Sequence, residues 1–380
     1  MTSGEEGVLR MISGSFRVSL VLLLGLLLGC GSGLQVTRVN SAEKKPNNVW
    51  VFFTVMNGDE PVGGLKADDF QIYEDDKEVS KFESKQVIQN PDVAAVMYTM
   101  LLVDMSGSIT ESGDTPKLVD AAKSFSERVG KSQKVGVYAF DGSEKLYSVT
   151  PFTESQGSVQ GGLDGLKSFK AKDPSTNLHG AVVEGVRELK KDLDQDKKPL
   201  KFGTLVVFTD GTDQAARVSR DQMNKELDKK DYQHYEFYAI GVGAEMQEKE
   251  LKDIGRNGTV MASDRSKVQE AFDKVAARVE AHMKRFYLLS YCTPSRAGEH
   301  EVKIEAHQKK EDSENKGHMI YKFKAEGFGP PPDCDPNTKP TFDMKATVDE
   351  GPGSTPKGDA KGSVKVEVKA SGDASAGTKK

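Results

Sequence analysis

The chain has 380 residues, of which 36% are hydrophobic and 29% charged, and its net charge is −5. That length has room for two domains, and so polar a composition implies that part of the chain stays unpacked. No basic block rises above the mixed-sign background, which argues against a nucleic-acid partner. Cys30, Cys292 and Cys334 form no C-x-x-C or Cys/His cluster, which argues against a zinc or thiol-redox centre.

Residues 18–29 read VSLVLLLGLLLG. The run is shorter than the roughly 20 residues that span a bilayer and has the length of a secretory h-region. It ends in Leu27-Leu28-Gly29-Cys30, which resembles the bacterial lipobox. By that resemblance residues 1–29 are a lipoprotein signal peptide and Cys30 is lipidated through its thiol and becomes the mature N-terminus. Gly31 in place of Asp then fits outer-membrane sorting. An uncleaved anchor and a general secretory signal are the alternatives. Glu5 and Glu6 are unusual ahead of an h-region; translation from Met11 would leave Arg17 as the leading charge. Residues 30–46 are small and polar and are expected to be a tether.

Residues 47–92 read as the first part of a β-domain. Val49, Val51, Phe53 and Val55 share one strand face, and Trp50 and Phe52 keep the other apolar. Asn57-Gly58-Asp59 and Gly63-Gly64 signal turns. Phe70–Tyr73 predicts a second strand, Glu74-Asp75-Asp76 its turn, and Lys81-Phe82-Glu83 and Val87-Ile88 a continuation of the sheet. The acids Asp68, Asp69, Glu74, Asp75 and Asp76 lack EF-hand spacing and read as solvated turns.

Residues 93–285 alternate apolar strands with amphipathic helices, the pattern of an α/β, doubly wound, mostly parallel sheet. Strands are predicted at 96–103, 134–140, 203–208, 236–242 and 259–261, with an edge strand near 146–150. Helices are predicted at 116–129, 158–168, 178–193, 220–229, 247–254 and 268–284; in the third, Leu178, Val182, Val186 and Leu189 form one stripe.

Residues 286–327 return to strands and supply what 47–92 lack. The expectation is a small, split β-sandwich-like domain with the α/β domain inserted into it. Residues 328–380, rich in Gly, Pro, Lys, Asp, Ser and Thr, are expected to be a disordered tail. With Cys30 lipidated, Cys292 and Cys334 remain as an even pair, which an oxidising compartment joins; two free thiols are the alternative.

Two predicted parallel strands end in an acid, Leu101-Leu-Val-Asp104 and Leu205-Val-Val-Phe-Thr-Asp210. Ligands of such sheets bind at the carboxyl ends of the strands, where the strand order reverses. Gly107 lets the chain turn and aim Ser106 and Ser108 at the same spot. Thr176, at a helix start, adds a hydroxyl, although alone it reads as an N-cap. Two carboxylates and three hydroxyls suit Mg²⁺, with Mn²⁺ or Ca²⁺ as alternatives. So few charges leave a coordination position for an outside oxygen.

Asp104-Met-Ser-Gly-Ser108, Thr176 and Asp210-Gly211 resemble the metal-ion-dependent adhesion site of the von Willebrand factor A domain family, over about residues 95–285. The resemblance implies Asp104, Ser106, Ser108, Thr176 and Asp210 as metal-site residues, some acting through water. It also implies a protein partner offering an acidic side chain. The flanks, Val62–Asp75 and Phe286–Tyr291, resemble those of bacterial proteins with the same insertion. The function expected is a lipid-anchored binding protein of the bacterial envelope. The alternative is an assembly scaffold in which metal only stabilises the loops. An enzyme is not expected, since no general base, nucleophile–His pair or phosphate loop accompanies the acids. Selectivity would lie in loops 109–117, 170–177 and 211–219.

Overall fold

In the computed structural model, residues 33–243, 248–311, 313–329 and 333–342 are described. Residues 1–32, which include the stretch expected to be a signal peptide and Cys30, and the residues beyond 342 lie outside them.

The first strand, β1 (Leu34–Lys44), corrects the expectation of a tether over 30–46. It pairs antiparallel with β2 (Asn48–Asn57) from Leu34↔Asn57 to Lys44↔Asn48. Its apolar residues are sparse, because only Leu34, Val36 and Ala42 face inward with Asn40, and its polar outer face hides the alternation. β3 (Glu60–Pro61), β4 (Phe70–Glu74) and β5 (Lys77–Glu78) follow. A second correction falls at 81–83. These residues form a single helical turn, α1 (Lys81–Ser84), not a strand, and Phe82 is 94% exposed. The apolar residue that suggested a strand packs on nothing. β6 (Val87–Gln89) ends this stretch.

The inserted layer runs β7 (Ala95–Asp104), α2 (Gly107–Thr110), α3 (Thr115–Val129), β8 (Lys134–Phe140), β9 (Tyr147–Thr153), α4 (Gln156–Gly165), α5 (Leu178–Asp194), β10 (Leu200–Thr209), α6 (Arg220–Leu227), β11 (Tyr235–Val242), α7 (Glu248–Ile254), β12 (Gly258–Ala262) and α8 (Val268–Lys284). The sheet order is β12-β11-β10-β7-β8-β9, parallel except for β9 at the edge. Alternate residues of β7 serve the two faces. Leu101 and Val103 pack with Val119, Phe125, Phe272 and Val275 under α3, α4 and α8. Met100 and Leu102 pack with Val182, Val186, Leu189 and Leu251 under α5, α6 and α7. Burial on both faces is why the strands carry continuous apolar runs, and the doubly wound fold class expected above is the one observed.

β13 (Phe286–Cys292), β14 (Glu299–Lys309) and β15 (Glu314–Lys324) complete two antiparallel sheets, β1-β2-β13-β6 with β3 beside β2, and β15-β14-β4-β5. Their shared core draws Phe53, Phe70 and Ile72 from before the insertion and Tyr287, Leu289, Val302 and Tyr321 from after it. Glu74 corrects the solvated-turn reading. It ends β4 buried, accepting from the hydroxyls of Tyr291 (3.0 Å), Thr293 (2.7 Å) and Ser295 (2.6 Å). Only Asp75 and Asp76 form the tight turn, both with positive φ.

Cys292 and Cys334 are disulfide-bonded. Residues 333–342 consequently lie along the first sheet, a correction to the disordered tail expected from 328 onward. Asn48 Nδ2 donates to Asp335 O (2.6 Å) and Trp50 Nε1 to Thr338 O (3.1 Å). Phe342 packs with Trp50, Phe52, Phe202, Phe286 and Leu288, where the sandwich meets the amino ends of β7 and β10. Low hydrophobicity leaves this strap little to bury, and the covalent bond fixes it instead.

Candidate metal centre

β7 and β10 are parallel neighbours in register from Leu200↔Ala95 to Phe208↔Val103. Asp104 and Asp210 therefore emerge side by side. The helix after β7 covers one face of the sheet and the helix after β10 the other, which opens a crevice between the two loops.

Asp104 is fully buried. Its Oδ1 accepts from Ser106 N (2.9 Å) and its Oδ2 from Thr209 Oγ1 (2.7 Å). Burial is the main influence on this carboxyl and, against those hydrogen bonds, raises its pKa to about 6. Ser106 precedes α2, with its Oγ 3.2 Å from Ser108 Oγ. Ser108 Oγ donates to Asp210 Oδ1 (2.7 Å). Gly107 N donates to Pro174 O (2.9 Å), and a β-carbon at Gly107 would lie 3.0 Å from Pro174 Cβ. The absence of a side chain thus lets the loop of Thr176 close on the loop of Ser106. Thr176 is buried and its carbonyl accepts from Gln214 N (2.9 Å) and Ala215 N (3.0 Å), beyond Asp210. Its Oγ1 is 3.7 Å from where a Gly211 β-carbon would stand.

The structure thus gathers all five sequence-predicted residues on three touching loops. Asp104, Ser106, Ser108 and Asp210 form one chain of contacts, and Thr176 joins through backbone bonds and its approach to Gly211. The spacing fits a small hard cation. Octahedral ligands at 2.0–2.1 Å stand about 2.9 Å apart along an edge, and the oxygen pairs of Ser106–Ser108 and Ser108–Asp210 stand 3.2 and 2.7 Å apart. Among the described residues no group of three or more His, Cys, Asp and Glu is placed to hold a metal. The candidate depends on hydroxyls, which suits Mg²⁺ or Mn²⁺ better than zinc.

Four supporting groups were not singled out in the sequence. Thr209 orients Asp104 and its oxygen also accepts from Gly211 N (3.2 Å). Asp141, directly after β8, is a third strand-end acid, buried, but it turns to the backbone. Its carboxylate takes Ser143 N and Lys172 N (both 2.8 Å) and Tyr147 Oη (3.0 Å), clamping the loop that leads to Thr176. Its position after a predicted strand was the available signal. His179 in α5 lies 3.4 Å from Asp213 and 2.8 Å from Glu250 of α7. Burial disfavours its charge, but the two carboxylates prevail and raise its pKa to about 9. Asp213 therefore ties the loop after Asp210 to α5. Arg265 Nη2 lies 2.8 Å from Asp210 Oδ2; nothing local in the sequence links residues so far apart.

Residues 100–276 match the family model of the von Willebrand factor type A domain. Among solved structures, the chain is similar to proximal thread matrix protein 1 of the mussel byssus, at 17% identity over 49% of this chain and 48% of that one, TM-score 0.41. The chain thus spans about half the length of that protein, another structure of which has a zinc-occupied adhesion motif. A von Willebrand factor type A protein from Catenulispora acidiphila aligns at 11% identity over 79% of this chain and 75% of that one, TM-score 0.40. Manganese-loaded TRAP protein of Plasmodium vivax aligns at 13% identity over 65% and 98%, TM-score 0.42. No curated protein matches the sequence.

Proposed function

Residues 100–276 of this chain are a von Willebrand factor type A domain, and from that premise we propose that the protein is a lipid-anchored envelope protein that captures a protein ligand through a divalent ion. The supporting observation is the chain of hydrogen-bonding contacts that runs from Asp104 to Ser106, from Ser106 to Ser108 and from Ser108 to Asp210, with Thr176 on the adjoining loop. When bound, Mg²⁺ or Mn²⁺ would supply an open coordination position for an acidic side chain of the partner. Asp104 and Asp210 supply the charge, Ser106, Ser108 and Thr176 neutral oxygens, and the loops at 109–117, 170–177 and 211–219 the selectivity. Cys30 carries the lipid in this reading. Because β1 begins at Leu34, the folded platform follows the anchor almost at once.

The test is a crosslinking pull-down from envelope extract with and without EDTA, with Asp104→Ala as control. Capture is expected only by the wild type with divalent ion present; identical capture in EDTA overturns the reading. Mass spectrometry of the mature N-terminus tests the lipid on Cys30. A scaffold reading has one observation in its favour: Arg265 and the His179 cluster already brace the loops. Partner binding that survives Ser106→Ala but not surface substitutions would select it.

A further inference from the structure

The segment between β12 and α8 places a cation at the crevice. Asp264 caps the turn, accepting from Ser266 N (2.8 Å), and Arg265 reaches across to the opposite loops. Its Nη2 lies 2.8 Å from Asp210 Oδ2 and 3.0 Å from Ser108 O, and its Nη1 3.4 Å from Asp114 Oδ2. The Asp210 side chain is 5% exposed and that of Arg265 is 33% exposed. Both oxygens of Asp210 are thus engaged, Oδ1 by Ser108 and Oδ2 by Arg265.

We propose that Arg265 is a tethered counter-cation that competes with the divalent ion for Asp210 and sets the ion affinity of the site. This rests on the metal reading above. A guanidinium stays charged at any physiological pH, so it cannot yield by losing a proton. If it stays in place, it repels an incoming dication across a partly buried crevice, where screening is weak. If it swings away, its bonds to Asp210 and Ser108 O are lost. Either course weakens ion binding, so removing the charge strengthens it. Lysine keeps the charge but not the planar fork that spans Asp210 and Asp114.

The experiment is calorimetric titration of the full mature chain with Mn²⁺ alone, comparing wild type, Arg265→Gln, Arg265→Met, Arg265→Lys and Asp104→Ala. Gln and Met are expected to tighten Mn²⁺ binding at least tenfold, Lys to remain within threefold of wild type, and Asp104→Ala to abolish binding. Thermal melts supply an independent readout. In EDTA the Gln variant should melt below wild type, having left Asp210 without its partner, and Mn²⁺ should raise its melting temperature by more than it raises that of wild type. Two neutral variants keep the comparison open if one of them fails to fold. Wild-type binding with unchanged or weaker binding by the neutral variants overturns this inference alone. Silence from wild type and neutral variants alike overturns the metal reading and this inference with it. Binding by the neutral variants with a silent wild type supports both.

Discussion

Replacing both Cys292 and Cys334 by Ser should release residues 333–342 from the sandwich. Fixing the backbone of ten residues costs on the order of 10 kcal/mol or more. Against this stand hydrogen bonds from Asn48, Trp50 and Gln89 to strap carbonyls, each contributing about 1 kcal/mol, and burial of Phe342, worth about 2 kcal/mol, with smaller contributions from the buried Pro336 and Pro340. These contacts fall short by several kcal/mol, so the cross-link is what holds the strap. The two cysteines are 42 residues apart, for which the chain-entropy model gives about 4 kcal/mol of stabilisation.

Trp50 is the chain's one tryptophan and is 0% exposed, with its Nε1 bonded to the strap at Thr338. The double variant, and the wild type in reductant, should therefore show red-shifted Trp50 emission and stronger quenching by acrylamide. The melting temperature should fall on the order of 10 °C. Emission unchanged from the oxidised wild type, with a melting temperature within about 2 °C, would refute the reasoning and show that the strap holds itself.

Three further outcomes are expected. The His179 pKa of about 9 lies above its unfolded value near 6.5, so its stabilisation is complete below pH 6.5 and is lost as pH rises through 9. It amounts to at most about 3 kcal/mol, and urea midpoints from pH 6 to 9.5 should show it in wild type and not in His179→Gln. Glu74→Ala strands the hydroxyls of Tyr291, Thr293 and Ser295 and should destabilise by about 3 kcal/mol; a loss under about 1 kcal/mol in chemical denaturation would contradict that role. Gly107→Ala sets a methyl 3.2 Å from Pro174 O, so it should part the two loops and weaken Mn²⁺ binding several-fold in a titration, with only about 1–2 kcal/mol lost in the melt.

The inserted layer was legible because its signals are local. Val268–Lys284 carries its own helical stripe, and Asp104 and Asp210 terminate apolar runs that only a doubly covered strand would keep. What escaped depends on partners brought by tertiary closure. Glu74 looks like its neighbours Asp75 and Asp76 until β13 delivers Tyr291 beside it. β1 shows too few apolar residues to read as a strand until β2 pairs with it. Arg265 sits in a polar turn like many others, and only the approach of the loops at Ser108 and Asp210 gives it a role.

The way the layer is inserted bears on how the site is presented. Ala95 and Met97 of β7 and Leu200 and Phe202 of β10 pack on Trp50, Phe52 and Leu288 of the sandwich, while Asp104 and Asp210 stand at the other ends of the same strands. A strand of ten residues spans about 30 Å, so the crevice faces away from the platform and its access does not depend on the strap. Sites that far apart with no shared partner act independently. The strap-free double serine variant should then bind Mn²⁺ with wild-type affinity while its Trp50 emission shifts. If affinity fell with the shift, the coupling would run through the elements that reach both ends: β7 and β10, whose amino ends share a cluster with Phe342, and α8, whose first turn follows Arg265 and whose last residue, Lys284, lies just before β13.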